Sequence, residues 1–136
     1  MIPADKQALL DLHAQDRRAH LEGHADLLTA GMADFVWEAG RGGLNRHSRA
    51  DMRERFAAYF ASVRYTVWDD LEPPHVFVSA DGMAGWMAVA IEARLSGVGA
   101  DGQIEERAFE SSWIATYEKI DDRWLMTGIA SSVVDR

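Results

Sequence analysis

Long strands fill almost all of the second half of this chain, and helices precede them. The strand patterns run from Met83 to Ser96, from Ile104 to Lys119 and from Arg123 to Val134. A helical N-terminal half that covers one face of a strongly curved, mostly antiparallel sheet forms a cone with an open mouth. The order of the elements therefore predicts an α+β fold with an interior.

The first predicted helix runs from Pro3 to Glu22. Its apolar residues Leu9, Leu12 and Ala19 recur at helical spacing, and Gly23 ends it. A shorter helix follows, with an inner face made of Ala25, Leu28 and Met32. The third helix, from Ser48 to about Val63, has the clearest start signal because Ser48 and Asp51 form a variant of the capping box.

A short strand is predicted at Asp34–Ala39, between the second and third helices. Strict alternation along this strand places Phe35, Trp37 and Ala39 on one face and turns Glu38 to the other. The glycine-rich segment 40–43 is predicted to be a turn that leads the chain toward Asn45 and Arg46. Two further strands are predicted at Tyr65–Trp68 and His75–Ala80.

The strand from Met83 to Ser96 is apolar on both faces for most of its length. One face holds Met87, Val89, Ile91, Ala93 and Leu95, and the other begins with Trp86, Ala88 and Ala90. The helices can cover only one face, and soluble monomers rarely expose large apolar patches. We therefore expect a homodimer, with simple tolerance of exposed alanine and serine as the alternative.

Length and charge limit the classes of function. The chain of 136 residues fits one domain, residues 1–136, and its net charge is −8. Residues 65–136 carry thirteen acidic and five basic residues, so nucleic acid and anionic membranes are not expected as partners. Without cysteine, disulfide and thiolate chemistry are excluded. No apolar run is long enough to cross a bilayer and no signal sequence is evident, so a cytoplasmic protein is expected.

Several short segments resemble one known superfamily. They are Glu22–Asp26 between the first helices, Ala33–Val36 at the first strand, His47–Asp51 at the third helix, Ser79–Gly82 in a turn, and Tyr117–Lys119 with Arg123-Trp124 in the last hairpin. The chain resembles the nuclear-transport-factor-2-like superfamily in its SnoaL-like branch. This resemblance implies a cone-shaped α+β fold with three N-terminal helices packed on a strongly curved, mostly antiparallel sheet. It does not define the chemistry, since the superfamily includes isomerases, hydrolases, dehydratases, cyclases and non-catalytic modules.

The ketosteroid isomerases of this superfamily provide a sharper comparison. Aligned on Gly23, their oxyanion tyrosine falls on Asp16, their general-base aspartate on Ala39 and a supporting tyrosine on Phe56. A slip of one residue would bring Glu38 to the base position. Without a base and a phenol, proton transfer of that type loses its main contributions, so this resemblance argues against that specific activity.

His13, Asp16 and His20 fall on one stripe of the first helix, at positions i, i+3 and i+7. If the stripe faces the interior, Asp16 and His20 are candidates for an acid–base pair, and His13 for the ligand pocket. A metal site is not expected, because zinc sites usually draw ligands from more than one element. The alternative is a stripe that is partly exposed to solvent.

Glu92 is the other candidate catalytic acid, because it interrupts an otherwise apolar strand. If Glu92 points into the cone, burial would raise its pKa and suit it to act as a general acid. The alternative is an exposed position or an ion pair with a neighbour such as Arg107.

Aromatic residues suggest an apolar pocket. Trp37, Tyr59 and Trp113 are the candidates for its lining, against the alternative of core and dimer packing.

Together these features predict a small-molecule-binding protein with a hydrophobic pocket. It would be a lyase, isomerase or cyclase that acts on a small apolar carbonyl compound by acid–base chemistry, with no cofactor. The alternative is a non-catalytic dimerisation or ligand-sensing module of the same fold.

Overall fold

The computed structural model of the protein describes residues 1–136. Its three helices are α1 (Ala4–Glu22), α2 (Ala25–Ala30) and α3 (Arg49–Ser62). Its seven strands are β1 (Met32–Gly40), β2 (Gly43–Ser48), β3 (Val63–Asp70), β4 (His75–Val78), β5 (Ala84–Val98), β6 (Ile104–Ile120) and β7 (Arg123–Asp135). None of the helices combines the length and the apolar character needed to cross a bilayer.

The strands form one sheet in the order β2-β1-β7-β6-β5-β3, and β4 also pairs with β5. Every pairing is antiparallel except that of β1 with β7, which is parallel. The predicted α+β class, with three helices on a curved and mostly antiparallel sheet, is confirmed.

The main core lies between α1 and the inner face of the sheet. Alternate residues of β5 point into it, from Met87 to Leu95, and Leu9 of α1 is fully buried against them. A second, smaller core forms where α2 and α3 meet β1, around Val36 and Met52. The period-2 pattern of β5 therefore defines which face of the sheet the helices cover.

The helix boundaries follow the sequence signals. Gly23 ends α1 in the left-handed conformation, with φ of 65°. Ser48 caps α3 by accepting a hydrogen bond of 3.1 Å at its Oγ from the backbone N–H of Asp51. The cap predicted for the third helix is confirmed.

The turn predicted at residues 40–43 is confirmed, and the chain after it forms a strand, β2, that was not predicted. It pairs with β1 in a hairpin whose two turn residues, Arg41 and Gly42, have φ of 51° and 78°. Two consecutive residues with positive φ are typical of the tight turn that matches the twist of a hairpin. The turn is therefore only two residues long, and the chain after Gly42 returns directly along β1.

The two faces of β1 are reversed relative to the prediction. Val36 is fully buried and faces the helices together with Glu38, whereas Phe35 and Trp37 are about half exposed on the outer face. Trp37 pairs with Gly128 of β7. Alternation holds from Phe35 to Glu38 after an irregularity in the pairing of β1 with β7, but alternation alone does not say which set faces the core.

Replacement of Leu9 by alanine should destabilise the fold. Leu9 has no exposed surface and packs in the main core, so Leu9→Ala should lower the free energy of unfolding by about 2–5 kcal/mol. Urea denaturation measures this change. The matched control is Leu44→Ala at an exposed position of β2, which should change stability by less than about 0.5 kcal/mol. Equal effects of the two variants would contradict this description of the core.

Candidate functional site

A cavity of about 250 Å³ lies between the helices and the inner face of the sheet. Most of its wall is apolar or aromatic: Leu12, Leu28, Met32, Met52, Phe56, Trp68, Phe109, Trp113, Tyr117, Met126, Ile129 and Val133. The polar residues that reach it include His13, Asp16 and His20 of α1 and Glu38 of β1. An apolar cavity with a few convergent polar groups is the usual form of a small-molecule site.

The stripe of α1 faces this cavity. Leu9 is buried on the same side of the helix, and His13 and His20 are each 8% exposed. Helical spacing places Asp16 between the two histidines on the cavity wall. The structure thus brings together the three residues that the sequence placed on one stripe.

Asp16 has no hydrogen-bond partner for its carboxyl group. The nearest atom of a titratable side chain is Nδ1 of His20, 3.5 Å from Oδ1, and 27% of the Asp16 side-chain surface remains accessible where it lines the cavity. Burial raises the pKa of the Asp16 carboxyl group above its ordinary value, and this effect exceeds the opposing attraction of the His20 and His13 imidazoles. The surroundings therefore favour a neutral carboxylic acid, which can donate a proton.

His20 is held in one orientation and one tautomer. Its ring stacks on Trp68, with 3.7 Å between the ring centroids, and its Nδ1 lies 2.8 Å from the backbone oxygen of Asp16. A carbonyl oxygen only accepts, so Nδ1 carries the proton and the Nε2 of a neutral His20 is a free base. The buried side-chain nitrogens without a hydrogen-bond partner are His47 Nε2 and Trp68 Nε1. His20 Nε2 is not one of them, so it retains accessible surface.

His13 is oriented from a different element. Its Nε2 lies 2.6 Å from Oδ1 of Asp70, the last residue of β3. The His13 ring also lies beside Trp113, with centroids 6.2 Å apart. A carboxylate that accepts from Nε2 leaves Nδ1 of a neutral His13 unprotonated. The sequence grouped His13 with Asp16 and His20 but contained no signal for Asp70, which is 57 residues away.

Glu38 is the second carboxylate of the cavity, and both of its oxygens accept hydrogen bonds. Arg55 of α3 donates to both of its oxygens, at 3.2 and 2.9 Å, and His47 Nε2 approaches Oε1 to 3.3 Å without hydrogen-bond geometry. The hydrogen bonds from Arg55 lower the pKa of Glu38, and burial opposes them only in part. Glu38 is therefore an ionised group held at the cavity wall.

Tyr117 of β6 was not predicted to be a site residue. It is 7% exposed, it lines the cavity, and its hydroxyl has no hydrogen-bond partner in the protein. Burial raises the pKa of the Tyr117 phenol, with a smaller contribution from the charge of Asp16. The phenol is thus a neutral hydrogen-bond donor in the same cavity as Asp16.

Three predicted site residues lie elsewhere. Glu92 is exposed on the outer face of β5, between Asp69 and Glu110 of the neighbouring strands, so the alternative of an exposed position holds and Glu92 is not a cavity acid. Its side chain avoids the cost of burial by remaining in water. Arg107, its suggested partner, lies 3.6 Å from Asp135 instead.

Trp37 and Tyr59 do not line the cavity either. Trp37 lies on the outer face because the two faces of β1 are reversed relative to the prediction. Tyr59 packs behind the cavity wall, where its hydroxyl lies 2.6 Å from that of Tyr65. Of the predicted pocket aromatics, Trp113 is the one that lines the cavity.

The structure contains no group of three or more histidine, aspartate or glutamate side chains close enough together to hold a metal ion. His13 and His20 each bind a different oxygen, and these oxygens belong to separate parts of the chain. The arrangement can donate a proton from Asp16 and accept one at His20, within an apolar enclosure.

Asp16→Asn should make the protein more stable at high pH. The raised pKa of Asp16 means that its contribution to stability is complete below the ordinary value of 3.8 and is lost as the pH rises through the folded-state pKa. Asparagine cannot ionise, so the melting temperature of the variant should exceed that of the unchanged protein at pH 8 and converge with it below pH 4. Thermal unfolding across pH measures this difference. The control is Asp11→Asn, on the exposed side of α1, which should show no such gain at high pH.

No family model and no curated protein sequence matches this chain. Solved structures do match it over nearly its whole length. A conserved protein from Planctomyces limnophilus has a TM-score of 0.77 at 12% identity, covering 98% of each chain. A ketosteroid isomerase-like protein from Erwinia carotovora atroseptica has a TM-score of 0.69 at 12% identity, covering 99% of this chain and 100% of the other.

A nuclear transport factor 2-like superfamily protein from Salmonella enterica has a TM-score of 0.67 at 15% identity, covering 94% of this chain and 89% of the other. Identities this low show the fold alone, and the SnoaL-like branch stays a prediction from the sequence. The chain has the cone-shaped α+β fold of the nuclear-transport-factor-2-like superfamily.

Proposed function

We propose that this protein binds a small apolar carbonyl compound in the inner cavity and moves protons on it by acid–base chemistry, as a lyase, isomerase or cyclase. The observation that carries the proposal is the free carboxyl group of Asp16, which lies in an apolar cavity between two oriented imidazoles. Two groups whose surroundings favour a neutral acid and a free base are the usual equipment for proton transfer at neutral pH.

The cavity also limits the ligand. Its volume of about 250 Å³ is below the range of about 300–1,000 Å³ that is typical for drug-sized ligands. A compound with a single ring or a short chain is therefore the expected size. Asp16 and Glu38 are acidic and Arg55 is already bound to Glu38, so the walls offer no free cation to an anionic ligand.

Each residue has a role in the proposed step. The carboxylic acid of Asp16 donates a hydrogen bond to the carbonyl oxygen of the ligand, and the phenol of Tyr117 supplies a second donor. His20 Nε2 takes a proton from the adjacent carbon, the C–H electrons form the C=C bond, and the carbonyl oxygen takes the proton of Asp16. The products of this step are an enol, an imidazolium and a carboxylate, so the total charge is unchanged.

Glu38 is the competing candidate for the base. Its bidentate hydrogen bonds to Arg55 lower its pKa, and a base with a pKa far below the working pH transfers protons less effectively. His20 has no such partner at Nε2. We therefore assign the base to His20, and Glu38 to the polar wall of the cavity.

Exchange of the α-protons of cyclohexanone in D₂O tests this chemistry without knowledge of the natural substrate. The unchanged protein should accelerate the loss of the α-proton signal in NMR spectra. Asp16→Asn and His20→Gln should each reduce the acceleration by about 10²–10⁴-fold, whereas the control Asp11→Asn should retain it. Full acceleration in both cavity variants would reject the assignment, and loss in Glu38→Gln alone would transfer the base to Glu38.

We also propose that the outer face of the sheet binds a second copy of the chain. This face has a groove of about 600 Å³ whose floor includes the small residues Ala88, Ala90, Ser112, Ala130 and Ser132. Beside it, Phe77 and Trp86 stack with centroids 5.7 Å apart and remain 48% and 40% exposed. Because a two-fold interface is self-complementary, the aromatic pair of one copy can fill the groove of the other.

Trp86→Glu should therefore convert a dimer into a monomer. Light scattering on a sizing column should give twice the 15.1 kDa chain mass for the unchanged protein and the single mass for the variant. The matched control is Ile2→Glu, an equally apolar exposed residue outside the sheet, which should stay dimeric. A monomeric unchanged protein would rule out this interface.

A further inference from the structure

The His13–Asp70 pair connects the cavity to the surface of the protein. His13 lines the cavity and its side chain is only 9% exposed, whereas 37% of the Asp70 side chain is accessible to water. Their atoms Nε2 and Oδ1 are 2.6 Å apart. A single imidazole therefore spans the distance from the apolar interior to a carboxylate that water can reach.

The other polar groups of the cavity do not make such a connection. The Nδ1 of His20 is bound to a carbonyl of its own helix, and its ring is covered by Trp68. Glu38 reaches the surface, but Arg55 occupies both of its oxygens and keeps it ionised. Tyr117 is buried, and no hydrogen bond connects it to the surface.

His13 has the bonding pattern of a proton carrier. Nε2 donates to Asp70. Nδ1 has no hydrogen-bond partner within the protein, and it is not one of the buried nitrogens that lack a partner, so it retains accessible surface. Asp16 lies one helical turn away on the same stripe and is close enough that the charges of both His13 and Asp70 affect it. Nε2 of His13 thus faces a proton acceptor at the surface, and its Nδ1 is available to a ligand or water in the cavity that Asp16 also lines.

We propose that His13 and Asp70 carry protons between the contents of the cavity, where Asp16 and His20 act, and bulk water. This inference rests on the proposed function, because it describes how the protons of that chemistry are exchanged with solvent. A proton from the cavity binds Nδ1 while the Nε2 proton moves to Oδ1 of Asp70 and then to water. The imidazole stays neutral, and a proton that returns along the same path restores its original tautomer.

In this scheme His13 would contact the cavity contents, and Asp70 acts through His13 as a positioning residue. The charged groups around Asp70 are His13 on α1 and, beside it on β3, the exposed ion pair of Asp69 with Arg17 at 3.1 Å. Asp69 points to the outer face and does not contact His13. It therefore provides a matched control, with the same side chain one position away.

The test uses cyclohex-3-enone in D₂O as the probe, with two readings from each sample. Absorbance follows conversion to cyclohex-2-enone, and mass spectrometry measures deuterium in the product. The proton that His20 takes from carbon returns to carbon as hydrogen unless it first exchanges with other protons in the cavity, which the route through His13 and Asp70 replaces by deuterium from the solvent. The unchanged protein should convert the probe and introduce deuterium.

Asp70→Asn should reduce the deuterium per turnover by roughly tenfold, because water that leaks into the cavity replaces only part of a positioned proton carrier. Its conversion rate should change much less. His13→Gln should show the same loss of deuterium per turnover, and Asp69→Asn should retain both readings. Circular dichroism establishes that each variant is folded.

The possible results are distinguishable. Undiminished deuterium per turnover in either folded variant would overturn the route through His13 and Asp70. An equal loss of conversion and deuterium in Asp70→Asn would also overturn it, because Asp70 would then support the chemistry itself. Absence of conversion by the unchanged protein would reject the proposed function, and this inference with it.

Discussion

The contact between one stripe of α1 and the inner face of the sheet is the interaction on which the site depends. Leu9 and Ala19 are fully buried on this stripe, and His20 stacks on Trp68 of β3. Because residues of a helix return to the same side every three or four positions, the apolar contacts that dock α1 also carry Asp16 inward. The hydrophobic effect therefore places the carboxyl group of Asp16 at a position where no hydrogen-bond donor of the protein contacts it.

Three carboxylates around one cavity show how position determines chemical behaviour. Asp16 is surrounded by apolar groups, which favour its neutral form. Glu38 is held ionised by a guanidinium group, and Asp70 meets both an imidazole and water. The same functional group, a carboxyl, can thus serve as an acid, a fixed charge and a hydrogen-bond acceptor within one small volume. The cost of burying Asp16 is a common sacrifice of stability for function.

The sequence predicted those parts of the structure that local periodicity controls. The stripe of His13, Asp16 and His20, the Ser48 cap and the long strands follow from the spacing of 3.6 or 2 residues. Which face of β1 is buried could not be predicted in this way, because Trp37 and Val36 are both apolar and the choice between them depends on how β1 pairs with the distant strand β7. Asp70, Arg55 and Tyr117 became part of the site only through pairing across the sheet and packing of α3. The role of Glu92 stayed open in the sequence because an acid in an apolar strand is compatible with either face, and the structure places it on the exposed one.

The parallel pairing of β1 with β7 also affects how the chain reaches its final structure. Strand β1 begins at Met32, and its neighbour in the sheet begins at Arg123. On the ribosome, the hairpin of β1 and β2 has no permanent edge to join until β7 (Arg123–Asp135) has emerged. Contacts between such distant parts of a chain form slowly, because a large loop must close first. The wall of the cavity that contains Glu38 is therefore expected to be completed last, once β7 has been synthesised.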